Sequence, residues 1–170
     1  MGKQNRLISP ETFNHNFAEI DAGLSLKSAV EESNRCLYCY DAPCIKACPT
    51  GIDIPSFIKR IATNNLRGSA RTIMDANPVG ASCARVCPTE VLCEGACVLN
   101  KASAPIKIGK LQRYATDWAI RNRVRLFEKG EPNRRKVAVV GGGPACRRRG
   151  SWRGRASPSP FSKRSRSPAA

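Results

Sequence analysis

Apolar side chains recur at helical spacing along most of the chain between Pro10 and Arg123. The clearest apolar stripe, at positions i, i+3, i+4 and i+7, is formed by Ile54, Phe57, Ile58 and Ile61. Asp53 is a candidate N-cap for this helix, with Pro55 in its first turn. Further helices are predicted over Pro10–Ile20, with Ser9 as N-cap, and over Leu26–Arg35, Ser69–Ala76 and Ile106–Arg123.

Two cysteine-rich stretches interrupt this pattern and are predicted to be loops. Cys36–Cys48 contains Pro43 and ends before Pro49, and Cys83–Cys97 is broken by Pro88 and Gly95. A polar linker, Glu128–Arg135, is followed by a short apolar run, Lys136–Val140, which predicts a buried β-strand. The chain is therefore expected to be mainly α, with one strand behind the helices.

The basic residues are unevenly distributed. The net charge is +16, and the stretch from Pro144 to Ala170 contains eight Lys or Arg residues and no Asp or Glu, which is half of that charge. This stretch is also rich in Ser, Gly and Pro and nearly free of aliphatic residues, so it is expected to remain disordered. We divide the chain into a cluster domain (1–127), a linker with the start of a second domain (128–145) and a basic tail (146–170).

Nine cysteines occur in a chain with no apolar run after Met1 and no stretch as long as a membrane span. A cytoplasmic protein is therefore expected. In a reducing compartment, clustered thiols are more often metal ligands than disulfide partners.

The spacing of eight of these cysteines is typical of iron–sulfur ligation. The first block is Cys36-x2-Cys39-x4-Cys44-x3-Cys48-Pro, and the second is Cys83-x3-Cys87-Pro-x4-Cys93-x3-Cys97. In two-cluster ferredoxins the last cysteine of such a run, followed by proline, serves the other cluster. The spacing therefore predicts two [4Fe–4S] clusters for electron transfer, with Cys48 crossing from its own block to the other cluster.

Zinc is the main alternative for these thiols. Structural zinc sites favour two Cys-x2-Cys pairs or mixtures of Cys and His. Only one Cys-x2-Cys is present, and the single histidine, His15, lies outside both blocks. The pattern therefore favours iron–sulfur clusters.

These motifs resemble the N-terminal cluster domain of the dihydropyrimidine dehydrogenase family, which the small subunit of glutamate synthase shares. The resemblance covers roughly Pro10 to Ala145. It rests on the two cysteine blocks, on Ile52-Asp-Ile-Pro55 and on Ala104-Pro-Ile-Lys-Ile-Gly-Lys-Leu-Gln112. The Asp41-Ala-Pro43 and Asn77-Pro-Val-Gly80 stretches favour the pyrimidine branch, and in particular its bacterial subunit with clusters, FAD and an NAD site.

The resemblance implies an α-helical ferredoxin-like domain and a specific set of ligands. One cluster would be held by Cys36, Cys39, Cys44 and Cys97. The other would be held by Cys48, Cys87, Cys93 and the side chain of Gln112. Cys83, which spacing alone makes the eighth ligand, would instead be a near-cluster thiol and an alternative ligand.

The run Lys136-Val-Ala-Val-Val-Gly-Gly-Gly143 resembles the first strand and glycine turn of a Rossmann FAD-binding domain. Gly141 and Gly143 fit the first two glycines of G-x-G-x-x-G, but Cys146 stands at the third. No second strand and no acidic residue for the ribose follow, so the FAD site is predicted to be vestigial. We interpret the basic tail after Ala145 as a frameshifted translation, a hypothesis that sequencing the gene tests.

In the resembled family, hydride from NAD(P)H reaches FAD, and electrons then pass through the clusters to an FMN-containing catalytic subunit that reduces uracil or thymine. The present chain is expected to retain the clusters and to be inactive alone. Two alternatives stay open: a glutamate synthase small-subunit domain, and a basic nucleic-acid-binding protein whose tail contacts phosphates non-specifically.

Overall fold

The computed structural model describes residues 9–128, and this part of the chain is helical and contains no β-strand. Its α-helices are Pro10–Asn16 (α1), Leu26–Asn34 (α2), Pro43–Ala47 (α3), Ile54–Ala62 (α4), Leu66–Ala76 (α5), Gly80–Val86 (α6) and Ile108–Arg121 (α7). Two 3-10 turns, Thr89–Val91 and Val98–Lys101, lie between α6 and α7. The mainly α prediction is confirmed, whereas the predicted strand Lys136–Val140 and the glycine turn lie outside the described residues. No helix in the described range is long and apolar enough to cross a membrane.

Helix α4 lies at the centre of the core. It packs against α2, α5 and α7, and α7 also packs against α5 and α6. The predicted apolar stripe faces inward, because Phe57 and Ile58 are fully buried and Ile54 and Ile61 are nearly so. Each such side chain contributes about 1.5–3 kcal/mol when it leaves water. Burial of the stripe therefore stabilises the packing of α4 against the helices around it.

Side-chain caps fix where the helices begin. Ser9 Oγ accepts a hydrogen bond from Thr12 N at 3.1 Å, and Asp53 Oδ1 accepts one from Ser56 N at 3.1 Å, which confirms both predicted N-caps. Asn65 caps α5 through Gly68 N at 2.9 Å. This cap explains why α5 begins at Leu66, three residues before the predicted start at Ser69.

Helix α1 ends at Asn16 rather than at the predicted Ile20. None of its residues is buried, and Phe17 and Ile20 remain 69% and 105% exposed. A short helix without tertiary packing is only marginally stable, so it does not extend to the end of its apolar pattern.

The prediction that both cysteine blocks are loops is wrong, because each block contains a short helix. Helix α3 ends at Ala47 and helix α6 at Val86, and the residues that follow, Cys48 and Cys87, have extended backbones with ψ of 119° and 135°. Each cysteine precedes a proline, whose ring disfavours the helical conformation in the residue before it. Pro49 and Pro88 therefore end the two helices and fix the backbone of the adjacent cysteines.

Candidate metal centre

Four cysteines line one pocket of the helical domain: Cys36, Cys39, Cys44 and Cys97. The walls of this pocket include four core isoleucines, each at most 2% exposed: Ile54, Ile58, Ile106 and Ile108. The thiols come from the first block and from the far end of the second, so the fold brings together residues that are distant in sequence. They are the set that the family resemblance implied for one cluster.

A turn with an unusual backbone places Cys36 and Cys39 at this pocket. Tyr38, between them, has a φ of +51°, which is rare for a bulky residue because Cβ crowds the backbone. Its ring is held from two sides. The hydroxyl donates to Ser33 O at 3.0 Å, and Lys59 Nζ lies 4.7 Å from the ring centroid. These contacts stabilise a conformation that costs about 1–3 kcal/mol.

The thiols in this pocket are strongly affected by burial and by one another. Burial, followed by the charges of Cys36 and Cys97, raises the pKa of Cys44 to about 11. Burial also raises the pKa of Cys36, and the charges of Cys39 and Cys97 act in the same direction. Several thiolates in one apolar pocket repel one another unless a positively charged group lies between them. The donor set therefore fits a soft, cationic metal group.

A second group of cysteines lies around Cys48. Burial, followed by the charges of Glu94 and Cys48, raises the pKa of Cys93 to about 12. The pKa of Cys87 is raised by burial, then by the charge and hydrogen bond of Cys83, and also by the charge of Cys48. The charge of Cys48 therefore acts on both Cys87 and Cys93, although Cys48 belongs to the other block, and its crossing to the second cluster stays a prediction.

The Cys48 sulfur is surrounded by hydrogen-bond donors. Thr50 Oγ1 lies 3.4 Å from it, and the backbone N–H groups of Ile52, Thr50 and Gly51 also point towards it. Burial alone would raise the pKa of Cys48, but these hydrogen bonds outweigh burial and lower it. Gly51 has a φ of +62°, a conformation that glycine adopts without strain and that lets the chain curl around the sulfur. Hydrogen bonds to cluster sulfurs are one of the factors that set reduction potentials.

The amide of Gln112 is buried and oriented. Its side chain is 8% exposed, and Nε2 donates to the backbone oxygen of Gly80 at 2.7 Å. Because a carbonyl can only accept hydrogen bonds, this contact fixes which end of the amide faces Gly80. Within residues 9–128, Gln112 Oε1 accepts no hydrogen bond. That oxygen has the chemistry of the non-cysteine ligand implied by the resemblance.

Two glutamates tie the start of α7 to the rest of the site. Glu32 accepts a hydrogen bond from Lys107 N at 2.8 Å, and Glu94 accepts one from Gly109 N at 2.9 Å. Free N–H groups and a partial positive charge make a helix N-terminus a favourable place for carboxylates. Since Glu94 follows Cys93 directly, the second cysteine block is fixed relative to the helix that carries Gln112.

Cys83 lies beside the second group. Asn77 Nδ2 donates to its sulfur at 3.1 Å, and Cys83 is one of the groups that raise the pKa of Cys87, after burial. This position agrees with a near-cluster thiol, and the choice between Cys83 and Gln112 as a ligand stays a prediction. In the described range, no three or more His, Cys, Asp or Glu side chains are arranged to hold a single metal ion. The two ligand sets therefore rest on neighbourhoods of thiols and on the resemblance.

Comparison with known families identifies the kind of metal group that this domain binds. Residues 13–124 match a family described as "Dihydropyrimidine dehydrogenase domain II, 4Fe-4S cluster". The chain belongs to this 4Fe-4S family. The predicted resemblance and the choice of iron–sulfur over zinc are thereby confirmed, whereas the number of clusters is not given by the family match.

Similar proteins carry names from the pyrimidine branch. A protein of Salmonella typhi, "NAD-dependent dihydropyrimidine dehydrogenase subunit PreT homolog", is 43% identical over 127 residues, which are 75% of this chain and 31% of that protein. The PreT subunit of Escherichia coli K12 is 46% identical over 117 residues, 69% of this chain and 28% of that protein. The PreT subunit of Salmonella typhimurium has the same 43% identity over 127 residues. The chain thus spans about three tenths of the length of these relatives.

Several residues of the site were not found from the sequence. The sequence patterns did not single out Tyr38, Thr50, Glu32 or Glu94. Tyr38 and Thr50 nevertheless contact the cysteine loops, and both glutamates accept backbone hydrogen bonds from the start of α7. Asn77 was noted only as part of a family-specific stretch. Its proximity to the second cysteine block in sequence was the one available signal of a role at the site.

Proposed function

We propose that this chain binds two [4Fe–4S] clusters and transfers electrons, as the cluster domain of an NAD(P)H-dependent flavoprotein oxidoreductase of the dihydropyrimidine dehydrogenase type. The observation that carries the proposal is the apolar pocket lined by Cys36, Cys39, Cys44 and Cys97. Membership of the 4Fe-4S family and the pyrimidine-branch names of the relatives support it.

The second cluster is proposed to bind Cys48, Cys87, Cys93 and Gln112. The electrostatic effect of Cys48 on both other thiols supports this set, as does the oriented amide of Gln112. An amide ligand in place of a thiolate makes the cluster less negative, and net charge is one determinant of its potential. Two clusters with different ligand sets would therefore differ in potential, which is useful in a relay of electrons.

Anaerobic purification with iron and sulfide counts tests the number of clusters. About eight irons per chain support two cubanes, and Cys36→Ala is expected to remove about half of them. Cys146→Ala is the matched control, because this cysteine lies outside both blocks and its loss should leave the iron content unchanged. Zinc in place of iron would show the proposal to be wrong.

Variants of Gln112 test the unusual ligand. Gln112→Glu keeps a side-chain oxygen at the same distance from the backbone and is expected to retain iron at the second site. Gln112→Leu removes every ligand atom, so it should lose iron there and leave the first cluster intact. Full retention of iron and an unchanged EPR spectrum in Gln112→Leu would eliminate Gln112 as a ligand and favour Cys83.

The flavin and partner assignments extend beyond the matched region. In the full-length type of protein, FAD would bind at a glycine turn such as Gly141–Gly143 and pass electrons to the clusters, which would reduce an FMN-containing catalytic subunit. We propose that residues 1–127 transfer electrons through the clusters, and that the glycine turn within residues 128–145 of the present chain does not bind FAD. A flavin assay of the purified chain checks this, because stoichiometric FAD and NADH-dependent dye reduction would contradict it.

A further inference from the structure

We propose that Arg85 and Asp117 are positioning residues for the second cluster, because their ion pair holds the end of α6 against α7. This inference rests on the proposed function, since it assumes that Cys87 and Gln112 are ligands of that cluster. Neither Arg85 nor Asp117 binds iron in this proposal. The pair acts by keeping the two ligands at a fixed separation.

Helix α6 buries almost none of its side chains. Among its seven residues only Gly80 is buried, and Val86, at its end, is 76% exposed. A helix of this length is too short to be stable alone, so its contact with α7 must stabilise it. Polar contacts between the two helices therefore have the role that apolar packing has elsewhere in this fold.

Polar contacts join α6 to α7 at both ends of the shorter helix. At the start of α6, Gly80 O accepts a hydrogen bond from Gln112 Nε2 at 2.7 Å. At its end, Arg85 Nη1 and Nη2 donate to the two carboxylate oxygens of Asp117 at 3.0 and 2.8 Å. A fork of this kind between a guanidinium and a carboxylate fixes direction as well as distance.

The two contacts are in register with each other. Each joins residues that are 32 positions apart in sequence, so α6 and α7 run in the same direction. Along either helix the contacts lie five residues apart, which is about 7.5 Å. Two attachments at this separation oppose any sliding of α6 along α7 and any turning away from it. Because Cys87 directly follows α6, the ion pair fixes this cysteine relative to Gln112.

The ion pair is partly shielded from water and is supported by a second carboxylate. The side chains of Arg85 and Asp117 are 31% and 14% exposed. Glu19, on the segment before α2, accepts from Arg85 Nη2 at 2.9 Å and lies 3.2 Å from Arg113 Nη2 on α7. Salt screens partly buried pairs much less than exposed ones, so the attachment persists at physiological ionic strength.

The rate of iron release to a chelator reports how firmly each cluster is held. Arg85→Met keeps an unbranched side chain but has no charge, so it frees the end of α6. Release from the second cluster is expected to become about tenfold faster, because a hydrogen bond to a charged group changes an equilibrium by about that factor. Release from the first cluster should be unchanged, because none of its four cysteines lies on α6 or α7. Arg85→Lys keeps the charge without the fork and should have an intermediate rate.

The experiment follows the chelation of iron from the anaerobically loaded full chain by absorbance. Cys36→Ala and Cys87→Ala should each leave one cluster, and they identify which phase of release belongs to which site. Lys110→Met is the matched control. Lys110 lies on α7 and pairs with Asp21 at 2.9 Å, but this ion pair does not involve α6. The control should therefore release iron at the rates of the unmodified protein.

A double-mutant cycle tests whether Arg85 and Asp117 act as one pair. Asp117→Asn is expected to accelerate release from the second cluster alone. The double variant Arg85→Met/Asp117→Asn should release iron no faster than Arg85→Met, because the pair is already lost in the single variant. If the two substitutions accelerate release by independent factors that multiply, the pairing is overturned.

Two further results would also contradict the positioning role. Acceleration of both phases by the same factor overturns it, because that result shows a general loss of stability. Unchanged release in Arg85→Met overturns it as well. If Arg85→Met does not fold, Arg85→Lys and Asp117→Asn decide by the same criteria. An unmodified chain that holds no more than about four irons contradicts the proposed function itself, before any variant is compared.

Discussion

Gly95 lies at the closest backbone approach in the second cysteine block, and its replacement by alanine should damage both predicted sites. A Cβ added at Gly95 would lie 2.3 Å from the backbone oxygen of Glu90 and 3.1 Å from its carbonyl carbon. This oxygen belongs to the 3-10 turn Thr89–Val91, to which the Gly95 segment is hydrogen-bonded through Gly95 N and Glu94 N. Neither side of the contact is a flexible side chain that could move away.

The cost can be estimated from this geometry. The new methyl and the Glu90 oxygen must separate by about 1 Å to reach ordinary contact at 3.4 Å. Overpacking of this kind typically costs 1–3 kcal/mol, and a clash with backbone belongs at the upper end, at about 3 kcal/mol. For a domain of this size such a loss lowers the melting temperature by about 12 °C. The shift also displaces Cys93 and Cys97, which flank Gly95 and belong to different predicted ligand sets.

Other glycines provide a graded comparison. At Gly80 the added Cβ would lie 2.6 Å from Ile73 Cγ2, a buried side-chain methyl rather than a backbone atom, so about 2 kcal/mol is expected. At Gly23 the nearest atoms belong to the Arg113 guanidinium at 3.9 Å, which is ordinary contact, so Gly23→Ala should be neutral. Anaerobic thermal unfolding and iron per chain are measured for all three alanine variants.

The expected order of damage is Gly95 first, then Gly80, then Gly23. Only Gly95→Ala is expected to lose iron from both sites. If Gly95→Ala melts within a few degrees of Gly23→Ala and retains its full iron content, the close approach to Glu90 is not a real constraint and the packing argument is refuted.

Three further predictions concern the core, an ion pair and the tail. Ile58→Ala removes a fully buried side chain that lines the first pocket, so it should lower the free energy of unfolding in urea by about 2–5 kcal/mol. Ile120 is exposed, and Ile120→Ala should change this free energy by no more than about 0.5 kcal/mol. Burial acts to raise the pKa of Asp117, but the hydrogen bond from Arg85 at 2.8 Å and nearby arginine charges outweigh it and lower that pKa. The ion pair therefore stabilises the fold at pH values above the ordinary aspartate pKa, and this stabilisation is lost as the pH falls through the lowered pKa. Asp117→Asn should lower the free energy of unfolding by about 1.5–3 kcal/mol at neutral pH. This difference from the unmodified protein should shrink in acid, and a constant difference would contradict the assignment. Truncation after Ala145 removes the basic tail, so it should abolish salt-sensitive DNA binding in a filter assay and leave the iron content unchanged. If the truncated protein still binds DNA, the DNA-binding surface lies in the helical domain.

The sequence was sufficient to identify the helices that carry a strong apolar pattern. The stripe on α4, the N-caps Ser9 and Asp53 and the mainly α class follow from local rules that tertiary structure did not overrule. The cysteine spacing with its two Cys-Pro pairs also identified the family, because iron–sulfur ligation requires soft ligands in a specific order along the chain.

The short helices inside the cysteine blocks were decided by tertiary structure. Ligand motifs interrupted by proline predict loops, yet α3 and α6 form and end directly before Cys48 and Cys87. Five- and seven-residue helices are too short to be stable alone, and α6 is stabilised by its packing on α7. The helix propensity of residues 80–86 gives no information about this packing contact with α7.

The neighbourhoods of the thiols were also beyond the reach of the sequence alone. Spacing predicted that Cys48 crosses between blocks, but only the packed helices bring Cys97 to the pocket of Cys36 and place Asn77 against Cys83. The same packing presents the Gly80 carbonyl to Gln112. These contacts join residues through the α4–α5–α7 core, and such long-range contacts depend on how whole helices pack, whereas caps and apolar stripes depend on residues within a few positions of one another.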